Sequence, residues 1–325
     1  MTLSRRRAAQ LLLAGLGAAA AGCASVDTPA PSYRVVDLMP AFWDFWAQAQ
    51  AVDESARPAL FKQMVVSRAP QAYAPSIIGL APDKPYDEEL ARRYHRVQAM
   101  VANRMDLMRR LSGRIARDLR GYEATFRRTF PDLAYRGDIY FMHALGGFDG
   151  GTRIIDGRMA LLFGVDMIAY VYGEDADPQP FFHHELFHVY HAQFFPPILR
   201  GGEHLIEALW GEGLATYVAQ TLNPQASGVA IFGLPRSTPA RVQADLPAIA
   251  AALRERLDSR SADDYRRFFR GSDERAEVPA RSGYVVGFLV AQKLAERHRL
   301  IDLAHAPLAQ LRPEIESALD ALGSA

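Results

Sequence analysis

The chain has 325 residues, 49% of them apolar and 23% charged, ordinary values for a folded protein with a sizeable buried core. Its 37 basic and 37 acidic residues cancel; without Arg5, Arg6 and Arg7, which sit in a leader expected to be removed, 34 basic face 37 acidic, a net of about −3. Such a field recruits no nucleic acid, and no Lys/Arg block with interleaved aromatics occurs, so nucleic-acid binding is set aside.

The first element is the leader. Arg5 to Arg7 form a positive region, and Leu11 to Ala21 an apolar stretch too short to span a bilayer. It reads as the core of a signal peptide over residues 1–22. Ala20-Ala21-Gly22-Cys23 resembles the bacterial lipobox, with Ala20 where Leu is usual, so Cys23 is the expected lipid attachment site. Cys23 is the single cysteine of the chain, so no disulfide forms within it. Ser4-Arg5-Arg6 resembles the start of a twin-arginine signal, although Ala8 and Ala9 replace the usual hydrophobic pair. Export and attachment to a bacterial membrane, facing the periplasm or the cell surface, are therefore expected.

Residues 23–34 read as a tether, short, polar and proline-bearing. Residues 35–85 read as an N-terminal helical segment, with helical periodicity from Phe42 to about Arg68 before Pro70, Pro75, Pro82 and Pro85 break the chain. Residues 86–325 read as one larger domain. A helical pattern runs from Tyr86 to about Arg128, with Leu90, Tyr94, Val97, Val101, Met105 and Met108 at three- and four-residue spacing. His95 on this stretch reads as a surface histidine. Asp138 to Leu145, Thr152 to Ile155 and Met159 to Val165 read as strands, the last two joined at Asp156-Gly157. The loop Gly146 to Gly151 lacks the Lys-Ser/Thr and the helix that a phosphate cradle needs. No Gly-x-Ser-x-Gly elbow supports serine hydrolase chemistry. Helices are expected from about Pro180 to Phe195, from about Glu203 to Leu222, and again near Leu246, Asp263, Ser282 and Pro307.

The run His183-His184-Glu185-Leu186-Phe187-His188 carries the chemistry. A helix turns about 100° per residue, so His184 and His188 share one face and offer two imidazoles to a single tetrahedral zinc. Glu185 lies between them, where it can take a proton from water whose pKa zinc lowers to ~7. The competing reading is a pair of core histidines bonded to carbonyls beside a salt-bridged Glu. His183 points off this face and reads as structural; His191, one turn on, is either an orienting partner or partly exposed.

A third ligand is needed. A Gly and a His three and six residues after His188 would mark a metzincin, but those positions hold His191 and Phe194. The next helix offers Glu203, Glu207 and Glu212. Glu203 suits a helix N-terminus. Gly211 and Gly213 flank Glu212, and each costs ~1 kcal/mol in a helix interior, which suggests that another backbone or a metal centre comes close. Five residues separate Glu207 from Glu212, so on one regular helix they cannot both be ligands.

These residues resemble the gluzincins, zinc peptidases with His-Glu-x-x-His on one helix and a Glu ligand on the next, and bacterial lipoproteins labelled predicted zinc-dependent proteases. Gly211-Glu212-Gly213-Leu214-Ala215-Thr216-Tyr217 is similar to the aminopeptidase-type Asn-Glu-Gly-Phe-Ala signature, which implies Glu212 as the ligand. The spacing of that branch instead lands on Glu207. The resemblance spans about 45 residues, from 180 to 222. The branch's Gly-Ala-Met-Glu-Asn loop is absent; Gly146 to Gly151 sits at a similar distance upstream without a Glu. Tyr284 resembles the downstream tyrosine with which gluzincins stabilise an oxyanion; the competing reading is a core tyrosine in an apolar helix. The resemblance implies a mainly helical α+β fold, a zincin-like domain with a small sheet upstream of the motif helix. It implies one Zn2+ per chain and a peptide or protein substrate cleaved by metal-activated water. The alternative is an inactive zinc-binding lipoprotein with a structural or binding role.

Overall fold

The computed structural model describes residues 33–195, 204–233, 235–271 and 273–324. The leader, Cys23, Pro196-Pro197, Arg200 to Gly202 and the Glu203 candidate lie outside the described residues. Strand β1 (Arg34–Asp37) begins at the last residue of the expected tether. Helices α1 (Met39–Ala49), α2 (Arg57–Met64), α3 (Pro75–Ile78), α4 (Tyr86–Val101) and α5 (Met105–Thr129) follow. The periodic stretch from Phe42 to Arg68 is thus two helices. Pro58 lacks an N–H and fixes φ, which the first turn of a helix tolerates and its interior does not, so α2 starts there. The stretch from Tyr86 is also divided, by a 3-10 turn at Ala102–Arg104 with no proline or glycine in it.

The sheet adds β2 (Asp138–Met142), β3 (Gly150–Ile155) and β4 (Arg158–Gly164), in the order β1-β2-β4-β3. β1, β2 and β4 run parallel, and β3 pairs antiparallel with β4. Asp156 (φ +50°) and Gly157 (φ +73°) make the β3–β4 turn, the two left-handed residues of a type I′ hairpin, for which Asp-Gly is a preferred pair. β2 is buried along its whole length, as expected for a parallel strand covered on both faces. β3 is left as an edge strand.

The second half is helical: α6 (Val165–Tyr172), α7 (Pro178–His191), α8 (Leu205–Leu222), α9 (Gly228–Phe232), α10 (Thr238–Ala244), α11 (Leu246–Arg254), α12 (Ala262–Phe269), α13 (Ser282–Ala295), α14 (Leu300–His305) and α15 (Leu308–Leu322). The protein is a mainly helical α+β fold with a four-stranded mixed sheet upstream of the helices that carry the candidate site. One hydrophobic core joins Phe42 and Phe61 of the N-terminal helices to Phe163 of the sheet, Phe187 of α7 and Trp210 of α8. The described residues belong to one compact unit. Among them, no helix is long and apolar enough to cross a membrane.

Candidate metal centre

Local chemistry sets α7 first. Asp177 caps it, its carboxylate accepting from the Gln179 N–H at 3.2 Å, and Pro178 takes the first helical position. Phe182, Leu186, Phe187 and Val189 turn into the core. His183 is fully buried: Nε2 donates to the Tyr122 carbonyl of α5 at 2.9 Å, and Nδ1 accepts from the Asn223 amide at the end of α8 at 2.8 Å. Burial lowers its pKa to about 4, so it stays neutral and serves as a structural pin between three helices. With that rotation fixed, His184, Glu185 and His188 line a cleft of about 790 Å³.

The following helix settles which glutamate arrives. Glu207 sits in the first turn of α8 and accepts from the His204 backbone N–H at 3.3 Å, half of a capping box. Glu212 lies further along the helix. Its Oε2 is 3.3 Å from Nε2 of His184 and 3.3 Å from Nε2 of His188, and the two nitrogens are 3.1 Å apart. Glu207 lines the rim of the cleft but takes no part in this group.

A second glycine explains the register. A Cβ on Gly213 would lie 2.3 Å from the carbonyl carbon of Gly287 in α13, and a Cβ on Gly287 would lie 2.5 Å from the Leu209 carbonyl oxygen. The two helices therefore meet backbone to backbone. Gly213 serves this contact, which holds the neighbouring Glu212 toward α7.

The donor set fits a zinc ion. Bonds of ~2.0–2.1 Å at tetrahedral angles place ligand atoms roughly 3.3 Å apart, close to the three spacings above. The electrostatics point the same way. Burial alone would raise Glu212, but the two imidazoles hold it well below the ordinary carboxylate range. Burial alone would lower His188, but Glu212 raises it to about 9. His184 is lowered by burial, with Glu212 opposing. A buried anion with two lone-pair donors around it calls for a cation between them, and a proton on His188 supplies it when no metal does.

Glu185 projects beside this group. An added Cβ on Gly150 would come within 3.0 Å of Glu185 Oε1 and 2.6 Å of the Phe181 ring, so glycine at 150 lets β3 pass directly over the motif helix. Burial pushes Glu185 up to about 7; Glu212 and Asp149 also raise it, while His188 and Arg153 lower it. Tyr284, on the first turn of α13, lines the same cleft with its ring centroid 6.4 Å from that of His184. Burial, with Glu212 adding, raises its phenol well above the ordinary value, so it remains a donor at neutral pH.

His191 and His95 separate from the site. His191 is buried, packs on Phe187 and Phe195, and is lowered to about 3 by burial, with the charges of His188 and His305 adding. His95 sits 3.6 Å from Glu54 near the surface. Several cleft residues were not singled out from sequence: Asp149 from the glycine loop, Arg153 on β3, Tyr265 and Arg270 of the α12 region, and Arg281. Arg281 is the N-cap of α13 and adopts φ +61°, a left-handed conformation rare outside glycine. Its guanidinium lies 4.3 Å over the Tyr284 ring. The glycine loop was the available signal: it borders the site because β3 needs glycine to cross Glu185.

No curated protein and no solved structure matches the chain. Residues 164–309 match a family model described as Predicted Zn-dependent protease (DUF2268), and over that segment, which carries α7, α8 and α13, the chain is similar to that family.

Proposed function

We propose that the protein is a zinc-dependent peptidase in which His184, His188 and Glu212 hold one zinc ion and Glu185 is the general base. The observation that carries this reading is the convergence of two imidazole nitrogens and one carboxylate oxygen within 3.1–3.3 Å in an open cleft, with a second carboxylate beside them. When bound, zinc supplies Lewis acidity toward a substrate carbonyl and lowers the pKa of water to ~7. Glu185 accepts the proton of the attacking water and passes it to the departing amine. Burial holds Glu185 above the ordinary carboxylate range, which makes it a better proton acceptor than an exposed glutamate. The Tyr284 O–H donates to the oxygen on which negative charge develops.

The cleft also has a place for an extended chain. β3 pairs with β4 on one side only, and its residues Gly150 to Arg153 line the cleft. An edge strand offers unpaired N–H and C=O groups, to which a peptide can add as a further strand. Polypeptide is therefore the substrate class the cleft suits.

The leader and Cys23 support a protein exported and lipid-anchored to a bacterial membrane. The test of function is metal analysis of purified protein together with cleavage of a peptide library by wild type and Glu185→Gln. One zinc per chain in both, with cleavage by the wild type alone, is the expected result. Zinc without cleavage by either would leave a binding or structural lipoprotein; wild-type rates in Glu185→Gln would overturn the assigned base.

A further inference from the structure

About half of the described arginines face a carboxylate. Arg34 pairs with Asp138, Arg110 with Glu174 and Arg312 with Asp258, for example. Three arginines in the cleft do not. Among the described residues, Arg153, Arg270 and Arg281 make no ion pair, and Arg153 donates to the neighbouring Thr152 carbonyl at 2.8 Å. Each instead lies over an aromatic ring of the cleft wall: Arg153 at 5.5 Å from Phe148, Arg270 at 5.6 Å from Tyr265 and Arg281 at 4.3 Å from Tyr284. The Arg281 Nε is buried with no partner at all.

Stacking on a ring orients a guanidinium while leaving its in-plane N–H donors available, which is how arginine is presented to planar anions. The cleft's own carboxylates act on these cations at longer range, Glu185 on Arg153 and Asp149 and Glu212 on Arg281, without pairing with them. Asp149 already accepts from the Gly150 N–H at 3.0 Å and from the Tyr172 hydroxyl at 3.5 Å. Glu212 is turned to the two histidines, and Glu185 is needed for proton transfer. None of these carboxylates is within ion-pairing distance of the three guanidinium groups, so their N–H donors stay available to an anion that a substrate brings.

Their position says where that charge sits. Gly150 passes over Glu185, and Arg153 folds back so that its Nη1 would be 3.1 Å from a Cβ on Gly151. Its guanidinium is thus one residue along β3 from the proposed base. Arg281 is three residues before Tyr284 and holds a left-handed backbone to be there. That backbone is sparsely populated by side-chain-bearing residues and persists where a site requires it. At ~3.3 Å per residue of extended peptide, Arg153 and Arg281 meet a substrate one or two residues from the bond being cut, with Arg270 further along the same cleft wall.

We infer that Arg153, Arg270 and Arg281 form a carboxylate receptor, and that the peptides this cleft takes carry a carboxylate within a residue or two of the scissile bond. The carboxylate is either the free C-terminus or an acidic side chain. Both offer the same planar, two-oxygen anion, which arginine can bind in bidentate fashion. The inference rests on the peptidase reading for the word scissile; the receptor itself does not depend on hydrolysis.

The test measures binding apart from cleavage. Three kinds of dye-labelled peptide of one neutral sequence are used: a free C-terminal acid, its C-terminal amide, and the amide with one Glu substituted at successive positions. Their affinities for as-purified Glu185→Gln protein are read by fluorescence anisotropy. At least one carboxylate-bearing peptide should bind about tenfold or more tightly than the neutral amide, the scale of a charge-assisted contact. Preference for the free acid assigns the C-terminus; preference for the Glu-bearing amide assigns an acidic side chain. Arg153→Gln and Arg270→Gln, each in the Glu185→Gln background, should shrink the preference at least about threefold. Arg270 is exposed, so that substitution leaves the fold intact. Equal binding of all three peptides overturns the receptor, as does a preference that survives both substitutions. Hydrolysis by the wild type is scored separately. Carboxylate preference without cleavage keeps the receptor and removes the peptidase, and cleavage without preference does the reverse.

Discussion

Gly213 and Gly287 touch through their backbones: a methyl group on either would fall within 2.3–2.5 Å of backbone atoms of the opposite helix. Backbone atoms cannot yield as a flexible side chain does, so α8 and α13 must separate or rotate to accept it. Gly213→Ala should destabilise the protein by about 1–3 kcal/mol, the usual cost of overpacking, and should weaken zinc binding by moving the adjacent Glu212. Gly113→Ala on α5 is the control. Nothing lies within 4 Å of the added methyl there, and a helix interior favours alanine by ~1 kcal/mol. Thermal melts and zinc titrations of the pair check this; an unchanged zinc affinity in Gly213→Ala would detach the glycine contact from the metal site.

The two glutamates of α8 should behave differently. Glu212→Ala removes one of three converging donors and should abolish activity and sharply weaken zinc, beyond the ~10–100-fold typical of changes to a ligand's supporting partners. Glu207→Ala should keep the metal and lose only its cap, a cost of about 1 kcal/mol. Side-by-side zinc titration decides between them, and loss of zinc in Glu207→Ala would contradict the geometry.

Tyr284→Phe deletes one hydroxyl and leaves the ring on which Arg281 stacks. Activity should fall by ~10²–10³-fold in kcat, as for loss of one oxyanion donor, while zinc content stays at the wild-type level. A kcat within twofold of wild type would make Tyr284 a packing residue.

Metal uptake should release a proton. In the metal-free protein His188 is raised to about 9 by Glu212, against an ordinary histidine near 6.5. For a raised histidine the stabilising contribution is complete below about 6.5 and is lost as pH climbs through about 9. At pH 7.5 His188 therefore carries a proton that zinc must displace. Calorimetric titration of zinc in two buffers of different ionisation enthalpy should give a buffer-dependent enthalpy at pH 7.5, with the His188 share of the released protons lost above pH 9. An enthalpy independent of buffer at pH 7.5 contradicts it.

Cys23→Ser tests the anchor expected from the leader. Expressed with its own leader in a bacterial host, the variant should move from the membrane fraction to the soluble exported fraction. Unchanged membrane association would point to a different means of attachment.

Much of the site was legible in the sequence because it lies within one helix. The four-residue spacing of His184 and His188 is a local property of helix geometry, and Asp177-Pro178 supplies the helix start without help from elsewhere. The Asp156-Gly157 hairpin was readable for the same reason, since two left-handed residues in succession need a pair such as Asp-Gly. Strand β1 was not legible. Arg34-Val35-Val36-Asp37 is short and mostly exposed, and only its pairing with β2, about a hundred residues on, makes it a strand.

The choice between Glu207 and Glu212 was tertiary in the same sense. Both lie on one predicted helix, and sequence arguments pulled in opposite directions. The rotation of α8 is set by the approach of Gly287, which lies 74 residues beyond Gly213 in the chain. The arginine trio was likewise invisible, because Arg153, Arg270 and Arg281 come from a strand, a helix end and a helix cap. A side chain's place on its own helix follows from local backbone geometry, whereas what it faces follows from contacts between segments far apart in the chain.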